Sequence, residues 1–133
     1  MDTPTTYRDI LKQALLDYST VRPSHGNIRV EAVIDETHDR YALMHAGWDR
    51  EGRVSGDLLY VTLHDGKVHL EYDGLGYGIS DDLVARGIPE DDIVLAYMPE
   101  APTLAEFERR EAELKKRARF PKSTTTAVAA QSV

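Results

Sequence analysis

The sequence predicts an α+β domain built on an antiparallel sheet of four to five strands. Three observations predict it. One amphipathic helical pattern opens the chain, four strand-like runs follow between short polar turns, and Asp65-Gly66 stands between two alternating apolar runs. The 133 residues make one domain large enough to bury a core without disulfides or a structural metal.

Residues 5–20 carry the helix. Tyr7, Ile10, Leu11, Ala14, Leu15 and Tyr18 recur at helical spacing and form one apolar stripe. Pro23, Ser24, Gly26 and Asn27 break the pattern. Residues 28–35 alternate almost strictly between apolar and polar, the mark of a half-buried strand. After a polar turn, residues 40–48 form a second strand, 49–52 a turn, and 53–64 a third strand. Asp-Gly between alternating runs is a two-residue hairpin loop, because a type I′ turn needs positive φ at both central positions. Residues 67–73 then return as the fourth strand.

Glycines at 74, 76 and 78 lead out of the sheet. Ser80 is the expected N-cap of a short helix near 80–86, with Asp81 and Asp82 favoured at its positive end and Gly87 and Pro89 closing it. Ile93 to Tyr97 suggests a fifth strand. Thr103 and Glu106 have the spacing of a capping box for a last helix over about 103–118. The expected organisation is one domain over 1–102, a charged C-terminal helix over 103–119 and a flexible Ser/Thr/Ala tail over 120–133.

Composition excludes several functions. There is no cysteine, so disulfides, thiolate zinc sites, iron–sulfur clusters and cysteine nucleophiles are excluded. The N-terminus lacks a basic start followed by an apolar run, and no apolar stretch approaches the roughly 20 residues that span a bilayer. The expectation is a cytoplasmic protein with no membrane role. Residues 1–105 carry 9 Lys/Arg against 19 Asp/Glu, a net −10, whereas 106–133 carry 7 against 4, a net +3. An acidic body repels a phosphate backbone, so any nucleic-acid contact falls to the basic helix, through Arg109, Arg110, Lys115, Lys116, Arg117 and Arg119; an acidic partner and a solvated helix of mixed charge are the other readings of that helix.

Carrying the two loops outward pairs Trp48 with Arg53, His45 with Gly56, His64 with Lys67, Thr62 with His69 and Tyr60 with Glu71. Alternation then sorts the side chains. Ala42, Met44, Ala46, Trp48, Leu59, Val61, Leu63, Val68, Leu70 and Tyr72 form the expected core face, covered by the N-terminal helix. Tyr41, Leu43, His45, Leu58, Tyr60, Thr62, His64, His69 and Glu71 form the other face. That second face mixes apolar, aromatic and polar groups, as a wet contact surface does.

No catalytic constellation is complete. His45, His64 and His69 share the predicted outer face, but no carboxylate–histidine motif accompanies them, so no metal site is assigned. Asp73-Gly-Leu-Gly-Tyr-Gly-Ile matches neither dinucleotide nor P-loop patterns, and Asp81 and Asp82 would repel a phosphate there. No cofactor is expected.

These residues together resemble the fdxN-element excision controlling factor family, the XisI-like proteins. The resemblance rests on His45-Ala-Gly-Trp-Asp49, Arg53-Val54 and Asp65-Gly66-Lys67-Val68. It continues through Asp73-Gly74, Gly78-Ile79, Leu83-Val84, Gly87-Ile88-Pro89 and Asp92-Ile93-Val94-Leu95-Ala96, and spans about residues 5–98. It implies an accessory role in DNA rearrangement, beside a site-specific recombinase and a XisH-like companion protein, with no catalytic residue to carry over. The leading expectation is a non-enzymatic factor that binds the companion through His45, Tyr60, Thr62, His64, His69 and Glu71, with a homodimer also open. Direct DNA binding by the basic helix is the first alternative. A hydrolase or metal enzyme using the sheet-face histidines is the second.

Overall fold

Thr6 starts the first helix, its hydroxyl oxygen accepting from the Asp9 backbone N–H at 3.2 Å. This computed structural model describes residues 6–20, 27–76 and 78–119. Helix α1 runs Tyr7–Ser19 and buries Ile10, Leu11, Ala14 and Leu15, the centre of the predicted stripe. Each fully buried Leu or Ile stabilises the fold by about 1.5–3 kcal/mol. The expected chain break at Pro23, Ser24 and Gly26 and the tail over 120–133 lie outside the described residues, whereas Asn27, expected in that break, is already in the first strand.

Strands β1 (Asn27–Asp35), β2 (Arg40–Asp49), β3 (Gly52–His64) and β4 (Lys67–Asp73) form an antiparallel meander in chain order. The hairpin at 65–66 has positive φ at both positions, 55° at Asp65 and 71° at Gly66, as type I′ requires. Strand β5 is only Ile93–Val94, shorter than the expected 93–97, and it pairs parallel to β4. Tyr97 N–H instead donates to the Leu70 carbonyl at 3.1 Å, and the chain turns through Met98.

Helix α2 spans Ile79–Ala85 and lies between β4 and β5 along the chain. Its N-cap is Gly78, with no side-chain cap bond, so Ser80 sits inside the first turn and does not cap. Burial of Ile79 sets this helix start, two residues before the acids would suggest. Helix α3 spans Leu104–Arg119. Its capping box is present: Glu106 N–H donates to Thr103 Oγ1 at 3.1 Å, and Thr103 N–H donates to Glu106 Oε1 at 2.8 Å. Leu104 is buried and Phe107 packs against the core, whereas Leu114 is 57% exposed.

The core face differs from the expected one in β2. Tyr41 and Leu43 are buried with Leu59, Val61, Val68 and Leu70, while Trp48 and Tyr72 are exposed. The cause is a bulge. The pairings at the 49–52 turn are as expected, Trp48 with Arg53 and His45 with Gly56, but the register shifts between Leu43 and Met44, so Leu43 faces Leu59 and Tyr41 faces Val61. One extra residue, Leu58, moves every β2 side chain to the opposite face from the one a regular ladder gives. Ala42, Met44, Ala46 and Trp48 therefore belong to the outer face.

A second shift, between Tyr60 and Val61, pairs Tyr60 with Tyr72 and not with Glu71. Strand β1 supplies Val30, Ala32 and Ile34 to the core side. An ion cluster ties the two helices α1 and α2 together. Arg86 reaches Asp17 at 3.0 Å and Asp82 at 2.8 Å, with its guanidinium over the Tyr18 ring, and Tyr18 donates to Asp82. Burial and that bond to Asp82 push the Tyr18 hydroxyl well above its ordinary value.

Candidate functional site

The outer face is built from the alternate residues of the four long strands. Val33, Trp48 and Tyr72 stand on it 50%, 58% and 45% exposed. Arg53 stacks over Trp48 at 5.7 Å, so part of the indole is covered by a cation from the next strand. Tyr60 accepts a hydrogen bond from Arg40 Nη1 at 2.7 Å.

Five of the six residues expected on a contact face gather near the β3–β4 hairpin. Thr62 lies directly across from His69. His64, two residues on, stacks on His69 with ring centroids 3.7 Å apart and planes 10° from parallel. Thr62 Oγ1 donates to Glu71 Oε2 at 2.9 Å. Tyr60 completes the set one pair further along β3. A cavity of about 240 Å³ opens beside them, lined by His38, Arg40, Thr62, His64 and Glu71 among others.

His45 is the exception. It lies opposite Val30, with the same alternation as Tyr41 and Leu43, so it shares the core-side parity and not the face of His64 and His69. The Leu58 bulge is again the reason. Among the described residues, the group whose ligand atoms come together is His64, His69 and Glu71, all within 4.8 Å of one another. Sequence reasoning had Glu71 on the right face but no reason to join it to the imidazoles. The signal was the His69-Leu-Glu71 spacing, which returns both side chains to one side of the strand.

The electrostatics of the pair follow from crowding. Burial and the neighbouring His64 push the His69 imidazole below its ordinary value, against smaller opposing effects of a His64 backbone hydrogen bond, Glu71 and Asp65. Its Nε2 is buried and has no hydrogen-bond partner. The unfolded chain therefore binds a proton here more readily than the folded one. This contribution to stability is fully present above about pH 6.5, the value of a free histidine. It is lost as pH falls through the lower folded value. The urea midpoint of the protein is expected to drop further between pH 7.5 and pH 5.5 than that of His64→Asn. Parallel pH profiles for the two proteins would show that the stack carries no such linkage.

The basic residues of α3 stand elsewhere. Arg109, Arg110, Lys115, Lys116 and Arg117 are exposed, and Arg119 is in the last turn. Glu108, Glu111 and Glu113 are interleaved with them, and Arg110 reaches Glu100 at 3.7 Å. Among the described residues, no helix is long and apolar enough to cross a membrane.

Comparison with known proteins places this architecture. The family model described as XisI protein matches residues 1–108. The chain belongs to the XisI family. Two solved structures share the XisI fold with it. A XisI-like protein from Anabaena variabilis ATCC 29413 is 26% identical, with a TM-score of 0.62 over 69% of this chain and 84% of that one. The fdxN element excision controlling factor XisI from the same organism is 29% identical, with a TM-score of 0.57 over 68% of this chain and 83% of that one. No curated protein matches. The XisI match ends at residue 108, so all six basic residues of α3 lie beyond it.

Proposed function

We propose that this XisI-family chain is a non-catalytic accessory factor in the excision of a DNA element, and that it acts by docking a XisH-like companion protein on the outer face of its sheet. The observation that carries the reading is the set of large side chains left in the open on that face, Val33, Trp48 and Tyr72. Beside them lie the half-buried Tyr60, His69 and Glu71 and the exposed His64. Aromatic groups with a polar rim are the chemistry of a protein contact surface. Family membership supports the accessory role, since a solved relative is an excision controlling factor by name. The net −10 of residues 1–105 supports a protein partner over a phosphate backbone for this face. In this scheme the companion, and through it a site-specific recombinase, does the chemistry on DNA.

Co-purification with a tagged XisH-like companion tests the reading. Tyr60→Asp and Tyr72→Asp are each expected to weaken the complex at least about ten-fold, because each removes an aromatic ring from the contact face and adds a charge that docking must desolvate. Leu16→Asp, on the exposed side of α1, is expected to leave it unchanged. An intact complex in both outer-face variants, or a homodimer on this face in place of the companion, overturns the proposal.

A further inference from the structure

We propose that His64, His69 and Glu71 form a binding site for a single divalent transition metal ion, zinc by preference. The inference stands apart from the docking role and rests on three observations. The candidate ligand atoms of these residues already lie within 4.8 Å of one another. The buried Nε2 of His69 has no hydrogen-bond partner. The Glu71 carboxylate is held by the Thr62 hydroxyl at 2.9 Å.

The donor set selects the ion. Two imidazoles and one carboxylate are the three-ligand pattern of an open zinc site, with a fourth position left for water or another ligand. The adjoining cavity of about 240 Å³ leaves room for that fourth ligand. Calcium and magnesium ask for six or more oxygen ligands and are poorly served by imidazole. Tetrahedral zinc with bonds of about 2.0–2.1 Å sets neighbouring ligand atoms about 3.3 Å apart. The three groups must therefore close by at most about 1.5 Å, a side-chain adjustment.

The adjustment has a definite form. Parallel rings send their lone pairs alongside each other, and an ion between them would sit far out of both ring planes. The stack must open so that the two nitrogens converge. His64 is free to do this, being exposed at the hairpin end, where its Nδ1 lies 3.4 Å from Asp65 Oδ2. His69 is more confined, between the β3 and β5 partners Thr62 and Val94. Thr62 acts as a positioning residue. Its hydroxyl fixes one carboxylate oxygen and leaves the other for the ion, the arrangement by which outer groups orient metal ligands.

Titration with zinc chloride tests the site, using untagged full-length protein freed of metal by EDTA and followed by calorimetry. One equivalent is expected to bind at pH 7.5. Affinity should fall steeply by pH 5.5, because protons compete for both imidazoles. His64→Asn and Glu71→Gln are each expected to weaken binding at least ten-fold, while His45→Asn, on the other side of the sheet, leaves it unchanged. Histidine side-chain NMR supplies an independent readout, with zinc shifting the His64 and His69 resonances together. Failure to bind at micromolar zinc overturns the assignment. So does loss of binding on changing His45, or binding that survives both His64→Asn and Glu71→Gln. Unchanged circular dichroism in the variants separates loss of the site from loss of the fold.

Discussion

Tyr41→Ala is expected to destabilise the protein by about 3–5 kcal/mol, the range for deleting a large buried ring. Tyr41 is 0% exposed and sits between Ile34 of β1 and Val61 of β3. Its hydroxyl donates to Asp39 at 2.9 Å, and Arg8 grips the same carboxylate through two nitrogens at 3.0 and 3.1 Å. Burial and the Asp39 bond push that hydroxyl up to about 12, so it remains a donor at any working pH. Truncation leaves a cavity under α1 and removes one of the hydrogen bonds that hold Asp39. Trp48→Ala removes a larger ring, yet it is expected to cost only about 1 kcal/mol, because Trp48 is mostly in solvent. Urea denaturation of the two variants measures the contrast. A regular β2–β3 ladder predicts the reverse order of costs, so the pair of values tests the bulge itself.

The second large effect is expected at Gly47. A Cβ placed there would lie 2.0 Å from the Asn27 carbonyl oxygen and 2.6 Å from the Ile28 Cα, both backbone atoms of the neighbouring strand. Neither can rotate away. Gly47→Ala must therefore part the first rungs of β1 and β2, where Asn27 faces Trp48 and Ile28 faces Gly47. A cost of about 3 kcal/mol or more is expected, a large share of the 5–15 kcal/mol that holds a typical domain. Gly56→Ala is the control. Gly56 has a similar φ of 147°, but its nearest added contact is His45 Nε2 at an ordinary 3.9 Å. A denaturation midpoint for Gly47→Ala no lower than that of Gly56→Ala would show that close backbone approach is not what the glycine serves.

The legible parts of this fold share a physical reason. The helix stripe, the Asp65-Gly66 turn and the Thr103–Glu106 box are decided by residues within one turn or loop of each other, so local chemistry determines them. The sheet faces were legible only where alternation is strict. In β1 the polar residues Arg29 and Glu31 separate Ile28, Val30 and Ala32, and its inward face follows directly. Leu58-Leu59-Tyr60-Val61-Thr62-Leu63 has no such alternation, and an inserted residue within it leaves no compositional trace. The missing information lay in the other hairpin. Pairing Asp35 with Arg40 brings Ile34 opposite Tyr41, and the clear parity of β1 then assigns Tyr41 to the core. The same inference removes His45 from the histidine pair. The Glu71 bond to Thr62 joins diagonal neighbours on that face, a contact that alternation permits but does not select.

The order of strands in this sheet bears on how the chain folds in time. From β1 to β4 the neighbours in space are neighbours in sequence, joined by loops of four, two and two residues. Short loops lose little entropy on closing, so such a meander can zip from one hairpin to the next. The last edge is different in kind. β5 meets β4 in parallel only after 19 intervening residues, and through only two residue pairs. A chain leaving the ribosome thus presents α1 and the whole antiparallel meander before β5 and α3 exist to flank it. Every residue of the face that carries the two histidines is therefore synthesised before the sheet's shortest strand.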